Sequence, residues 1–161
     1  MKGINKPMKL AEALILRADC MRRIRELKSR LAANVRIQEG DEPFENPQAL
    51  IRELEQVATE FLDLIQRINR TNVQTPFDDG KTLADALAER DIFKLRRGIY
   101  SDLQNKSADG EFFQRVSRAE IKFVFTIDVA ENNRKIDALS KAYRELDTRI
   151  QQLNWTVDLV D

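Results

Sequence analysis

The sequence predicts a mainly α protein. The expected form is an elongated antiparallel bundle of about four helices in coiled-coil-like hairpins, with a short β-hairpin before the last helix. Three observations predict it. Glycine and proline are scarce, five and four in 161 residues, while the helix formers Leu, Ala, Glu, Arg and Lys abound. Apolar residues recur at three- and four-residue spacing along four long segments. One short stretch alternates with period two instead, shortly before the last of them.

The first helix is expected over about 10–35, with Leu10, Leu14, Met21, Ile24, Leu31 and Val35 as its stripe. Arg17 and Lys28 fall on the same side and are expected to lay their stems along its border with the charged ends in water. Gln38 to Pro43 carries both Gly40 and Pro43, which ends the helix. The second helix starts at Asn46-Pro47, a good N-cap followed by proline at the first helical position. Leu50, Leu54, Val57, Phe61, Leu64 and Ile68 repeat in 4-3-4-3-4 order, and Ile51, Ala58 and Ile65 widen the stripe. That width suits a helix with two neighbours and suggests self-association.

Val73 to Gly80 reads as a loop. Thr82 is placed as an N-cap, with Asp85 at the third helical position. The third helix is expected to pack through Leu83, Leu87, Ile92, Leu95, Ile99 and Leu103, and to end over Asn105 to Gly110. Residues 120–128 alternate, with Ile121, Phe123, Phe125 and Ile127 on one face, which predicts a strand; Phe112 to Val116 is its expected partner. Asp128 then caps the last helix, whose stripe is Ile136, Leu139, Tyr143, Leu146, Ile150, Leu153 and Val157. The pattern begins at Met8-Lys9-Leu10, so residues 1–7 read as an extension and 8–161 as one helical domain.

Composition excludes several chemistries. With 27 basic and 27 acidic residues the net charge is zero, which disfavours nucleic acid as a partner. The chain has no histidine, so His-based triads and His-ligated zinc are ruled out, and its single Cys20 permits no intramolecular disulfide. Cys20 reads as a packed thiol. No apolar run approaches the roughly 18 residues of a membrane-spanning helix. The N-terminus lacks an apolar signal core, and the expectation is a cytoplasmic protein without a membrane partner. No phosphate loop, nucleophile elbow or CxxC is present. No cofactor is implied, and Asp41, Glu42 and Glu45 read as a solvated loop rather than a cation site.

One polar cluster stands out. Asn69, Arg70 and Asn72 follow the last stripe residue of the second helix, and Arg90 and Asp91 interrupt the third. The first reading is structural. Asn69 and Arg70 close a helix end, where Arg70 suits the negative end of the dipole. Asp91 lies four residues from both Leu87 and Leu95, on a half-buried side where it requires a partner, Arg17, Arg70 or Arg134. The alternative is a ligand pocket built from the five residues. Asn132-Asn133-Arg134 makes a similar polar gap in the last helix, as if several helices shared an internal network.

Five stretches carry a family resemblance: Met8-Lys9-Leu10-Ala11-Glu12-Ala13-Leu14, Ile68-Asn69-Arg70-Thr71-Asn72, Leu87-Ala88-Glu89-Arg90-Asp91, Glu120-Ile121-Lys122-Phe123-Val124, and Glu145 to Gln151 with Asn154-Trp155. Together they resemble a bacterial family of small helical proteins labelled septicolysin, over nearly all of the chain from Met8 onward. The label implies a cytolysin, and the resemblance supplies no catalytic residues. From the residues themselves, the expectation is an intracellular, non-enzymatic structural or interaction protein. Its partners are copies of itself or another protein. A small-ligand binder or enzyme using the polar cluster is the rival reading.

Overall fold

The computed structural model describes residues 7–116 and 126–161, and the backbone alone over 106–116. The protein is mainly α. Among the described residues, four helices follow one another: α1 (Leu10–Asn34), α2 (Pro47–Gln74), α3 (Leu83–Val116) and α4 (Val129–Thr156). Two short strands, β1 (Pro76–Asp78) and β2 (Lys81–Thr82), form an antiparallel hairpin ahead of α3. The chain divides into two compact units. The first is Met1–Pro76 with Gln152–Asp161, and the second is Phe77–Gln151.

In the first unit α1 and α2 run antiparallel. Their ion pairs show it, because partner numbers fall along α2 as they rise along α1: Arg23 meets Glu60 at 3.3 Å and Arg30 meets Glu53 at 3.9 Å. The seam is regular. Ala13, Cys20, Leu27 and Asn34 are buried at seven-residue intervals on α1, and Leu50, Val57, Leu64 and Thr71 likewise on α2. The expected α2 core positions are buried or half-buried, but Ile51, expected to widen the stripe, is exposed. The α1 stripe is buried only in part: Leu10 is buried and Leu14, Ile24 and Leu31 are half-buried, but Met21 and Val35 are exposed, and the buried face runs through Ala13, Cys20, Leu27 and Asn34. The sequence reading passed over Ala13 and Cys20, small side chains that fit where two helix backbones approach.

Local chemistry starts the helices where expected. Asn46 accepts from the amides of Gln48 and Ala49, at 2.9 and 3.2 Å, ahead of Pro47. Thr82 and Asp85 bond reciprocally: the Thr82 amide donates to Asp85 Oδ2 at 2.8 Å and the Asp85 amide to Thr82 Oγ1 at 3.3 Å. Asp128 accepts from the Glu131 amide at 2.9 Å. The first unit closes where its termini pair. The Leu10 amide donates to Val157 at 3.0 Å, the Leu159 amide to Met8 at 2.8 Å, and Lys9 forms a bridge with Asp158.

In the second unit α3 and α4 are also antiparallel: Arg90 reaches Asp147, while Tyr100 accepts from Asn132. On α4 the expected Leu139, Leu146 and Ile150 are buried. Arg149 stacks 4.5 Å from the Phe77 ring and bonds Asp78 at 2.5 Å, tying α4 to the hairpin. Three local expectations change. The β-hairpin precedes the last helix but lies at Pro76–Thr82, where Asp79-Gly80 makes a two-residue turn and Gly80 takes φ +74°. Phe112 to Val116 is helical, and so are Asn105 to Gly110, because α3 runs on to Val116. One glycine in a long helix costs about 1 kcal/mol, too little to stop it. Of the expected strand, residues 120–125 lie outside the described residues, as does the turn before it, and Thr126 to Asp128 are not in a strand.

Candidate functional site

Asn69, Arg70 and Asn72 belong to the first unit, Arg90 and Asp91 to the second. Asn69 and Arg70 are exposed on α2, and Asn72 is half-buried. The helix continues past them to Gln74, so they do not close it. Thr71 and Thr75 do that work. Thr71 Oγ1 donates to the Arg67 carbonyl at 2.8 Å, while Thr75 donates to the Thr71 carbonyl through its amide at 2.9 Å and its hydroxyl at 2.7 Å. Threonine hydroxyls bond a carbonyl four residues back without breaking the helix.

Asp91 is exposed rather than half-buried, and its cation is its own neighbour. Arg90 Nη2 lies 3.0 Å from Asp91 Oδ1, and Arg90 Nη1 lies 3.2 Å from Asp147 Oδ1 on α4. Arg90 is thus the half-buried member and Asp147 the carboxylate that the sequence reading missed. Burial pulls the guanidinium's pKa down, but the bonds and charges of Asp91 and Asp147 outweigh it and raise it. Only the fold brings residue 147 to residue 90, so no spacing rule would have found the pair.

Buried Asn34, Thr71 and Asn132 bond to backbone groups. Asn34 donates to the Arg30 carbonyl at 2.9 Å and accepts the Glu45 amide at 2.8 Å. The Glu45 carboxylate is gripped by Arg30, whose bonds hold it below the usual carboxylate range. Thr71 Oγ1 also accepts the Val160 amide at 3.0 Å. Asn132 donates to the Tyr100 carbonyl at 2.9 Å.

The described residues line a shallow cleft in each unit. One of about 230 Å³ in the second unit is lined by Tyr100, Asp128, Glu131, Asn132 and Lys135, among others. Its charges serve each other: Lys135 pairs with Glu131 at 2.7 Å and sits 5.7 Å from the Tyr100 ring, while Asp128 caps α4. The other, about 270 Å³ in the first unit, has Leu16, Cys20 and Leu64 in its lining with Asp19, Arg23 and Glu60. Cys20 is a buried free thiol there. Among the described residues no three Cys, Asp or Glu side chains converge as a metal site.

The feature with most functional content is a face of α3. Ile92, Leu95, Ile99 and Leu103 were expected to be core. They are 50%, 59%, 52% and 38% exposed. Their 3-4-4 spacing puts them on one side of the helix, nearly opposite Leu83, Ala86 and Arg90, which are buried or half-buried. Among the described residues, Ile92, Leu95 and Ile99 therefore stand as an exposed apolar group on α3, while Leu103 lies toward the α4 start beside Ile127. A merely amphipathic helix would carry charge at such exposed positions.

The chain matches the model of a family of unknown function, DUF6847, over residues 17–159. No curated protein matches it. The crystal structure of a functionally unknown conserved protein from Corynebacterium diphtheriae resembles it at a TM-score of 0.89 and 46% sequence identity. That match covers 96% of this chain and 100% of the other.

Proposed function

The chain belongs to the DUF6847 family, of unknown function, and from that premise we propose a non-enzymatic interaction protein that associates with itself through its helices. The observation that carries the reading is the exposed group Ile92, Leu95 and Ile99 on α3. Large apolar side chains standing together in water are a standing cost, and contiguous patches of this kind mark interaction surfaces. The clefts favour no chemistry, since their charged groups are already paired with one another or serve as helix caps. The ligand-binding and lytic readings have less support. Asn69, Arg70 and Asp91 of the polar cluster are exposed, and the cytolysin role stands on the resemblance alone.

Light scattering in dilute solution is the test. The expected mass exceeds the 18.7 kDa of one chain. A monomer at micromolar concentration would sink the proposal.

A further inference from the structure

We propose that a cationic face of α1 is a docking surface for the phosphate backbone of duplex nucleic acid, which it meets through Arg17, Arg25 and Lys28. The sequence segregates charge around this helix. α1 holds six cations against three carboxylates, although the whole chain is neutral. Arg17, Met21, Arg25 and Lys28 follow at four-, four- and three-residue spacing, which sets them on one face about a third of a turn from the seam of Ala13, Cys20, Leu27 and Asn34. Glu12, Asp19 and Glu26 repeat every seven residues on nearly the opposite side. The ion pairs follow the same division. Arg22 pairs with Asp19, Arg23 with Glu60, and Arg30 with Glu45 and Glu53. Arg17, Arg25 and Lys28 are exposed and meet no carboxylate among the described residues. Like charges one turn apart destabilise a helix, and a bound anion removes that cost. Zero net charge averages over the chain and hides this face.

The chemistry of the face selects the partner. Three cations on one rigid helix, with no carboxylate among them, suit a polyanion. A lipid surface would also need large apolar side chains to bury, and between Arg17 and Lys28 the one that stands exposed is Met21, at 41%. Single strands are held by stacking their bases on aromatic side chains, and α1 contains none. A duplex needs neither, because its bases are already stacked and its phosphates line its surface. Arg17 to Lys28 spans about 16 Å at 1.5 Å per residue, or about five base pairs at 3.4 Å each. The contact reads no sequence, because phosphates carry none.

The test is the fluorescence anisotropy of a labelled DNA duplex of mixed sequence, titrated with the full chain from about 50 to about 200 mM salt. With three phosphates neutralised, the binding constant should fall about 40-fold over that range, a log–log slope of about −2.7 for each chain bound. Arg17→Ala, Arg25→Ala and Lys28→Ala should each flatten the slope by about 0.9. Arg17→Lys should keep it, and so should Arg22→Ala, which removes a cation already paired with Asp19. Alanine at exposed helix positions preserves the helix, and unchanged helical circular dichroism checks it. Failure to bind the duplex overturns the proposal, as does a slope that survives the triple alanine variant. An equal flattening by Arg22→Ala would assign the binding to diffuse charge. Preference for phosphatidylserine vesicles over the duplex would assign the face to lipid. Either result also overturns it.

Discussion

Residue by residue, the buried polar groups decide more than the surface cluster that attracted notice in the sequence. Asn34 occupies the end of the α1 seam at 6% exposure and is the acceptor for the Glu45 amide. Asn34→Ala strands that amide and should cost roughly 1–3 kcal/mol in urea denaturation. A change within about 0.5 kcal/mol would mean the amide reaches water. Thr71→Val removes the acceptor of the Val160 amide and should expose the C-terminal residues to faster hydrogen exchange. Arg70→Ala, by contrast, should be nearly neutral, because Arg70 is exposed. The pair to measure is Arg90 with Asp147. Both are less than a third exposed, so Arg90→Ala should cost about 1–2 kcal/mol, between surface and buried pairs. A double-mutant coupling below about 0.5 kcal/mol would show that the pair contributes nothing.

At the scale of the element, the helix starts were legible because each is encoded within four residues. Asn46-Pro47, Thr82 with Asp85, and Asp128 are capping patterns that need no tertiary neighbour. Asn46→Ala should accordingly lower stability by about 1 kcal/mol, with Asn46→Ser close to neutral in thermal melts. Helix ends and helix faces were less legible. The Asn69 to Asn72 stretch looked terminal, but α2 runs a further half-turn and closes on threonine. On α1 the reading chose Met21 and Val35 over Cys20 and Asn34, because size, rather than closeness to α2, set the choice. On α3 the expected stripe joined buried Leu83 to exposed Ile92, Leu95 and Ile99, since a list of apolar positions does not say which side has a neighbour.

Across the whole molecule, carboxylates with depressed pKa values set the pH response. The Thr82 bonds lower Asp85, the Glu131 amide lowers Asp128, and Arg30 lowers Glu45. A carboxylate held lower in the folded state binds fewer protons there than in the unfolded chain. Its stabilising contribution is present above the ordinary carboxylate range and is lost as pH falls through the folded value. The denaturation midpoint should therefore hold near neutral pH and fall below about pH 4, and Glu45→Gln should flatten that fall. A midpoint equally high at pH 7 and pH 3 would show that these bonds do not contribute. Because the acids lie in both units, the fall should appear in probes of each.

The sequence by itself determined that the chain is helical, where its helices begin, and that apolar periodicity runs through α2 and α4. Those features depend on backbone propensity, capping and spacing, which act over a few residues. Tertiary structure alone decided that Arg90 faces Asp147, that Thr71 holds the Val160 amide, that Met8 pairs with Leu159, and that Ile92, Leu95 and Ile99 on α3 stand exposed. Each of these joins residues distant in the chain or depends on what lies beside a helix. Burial belongs to a side chain together with its neighbour, and the neighbour is not written next to it.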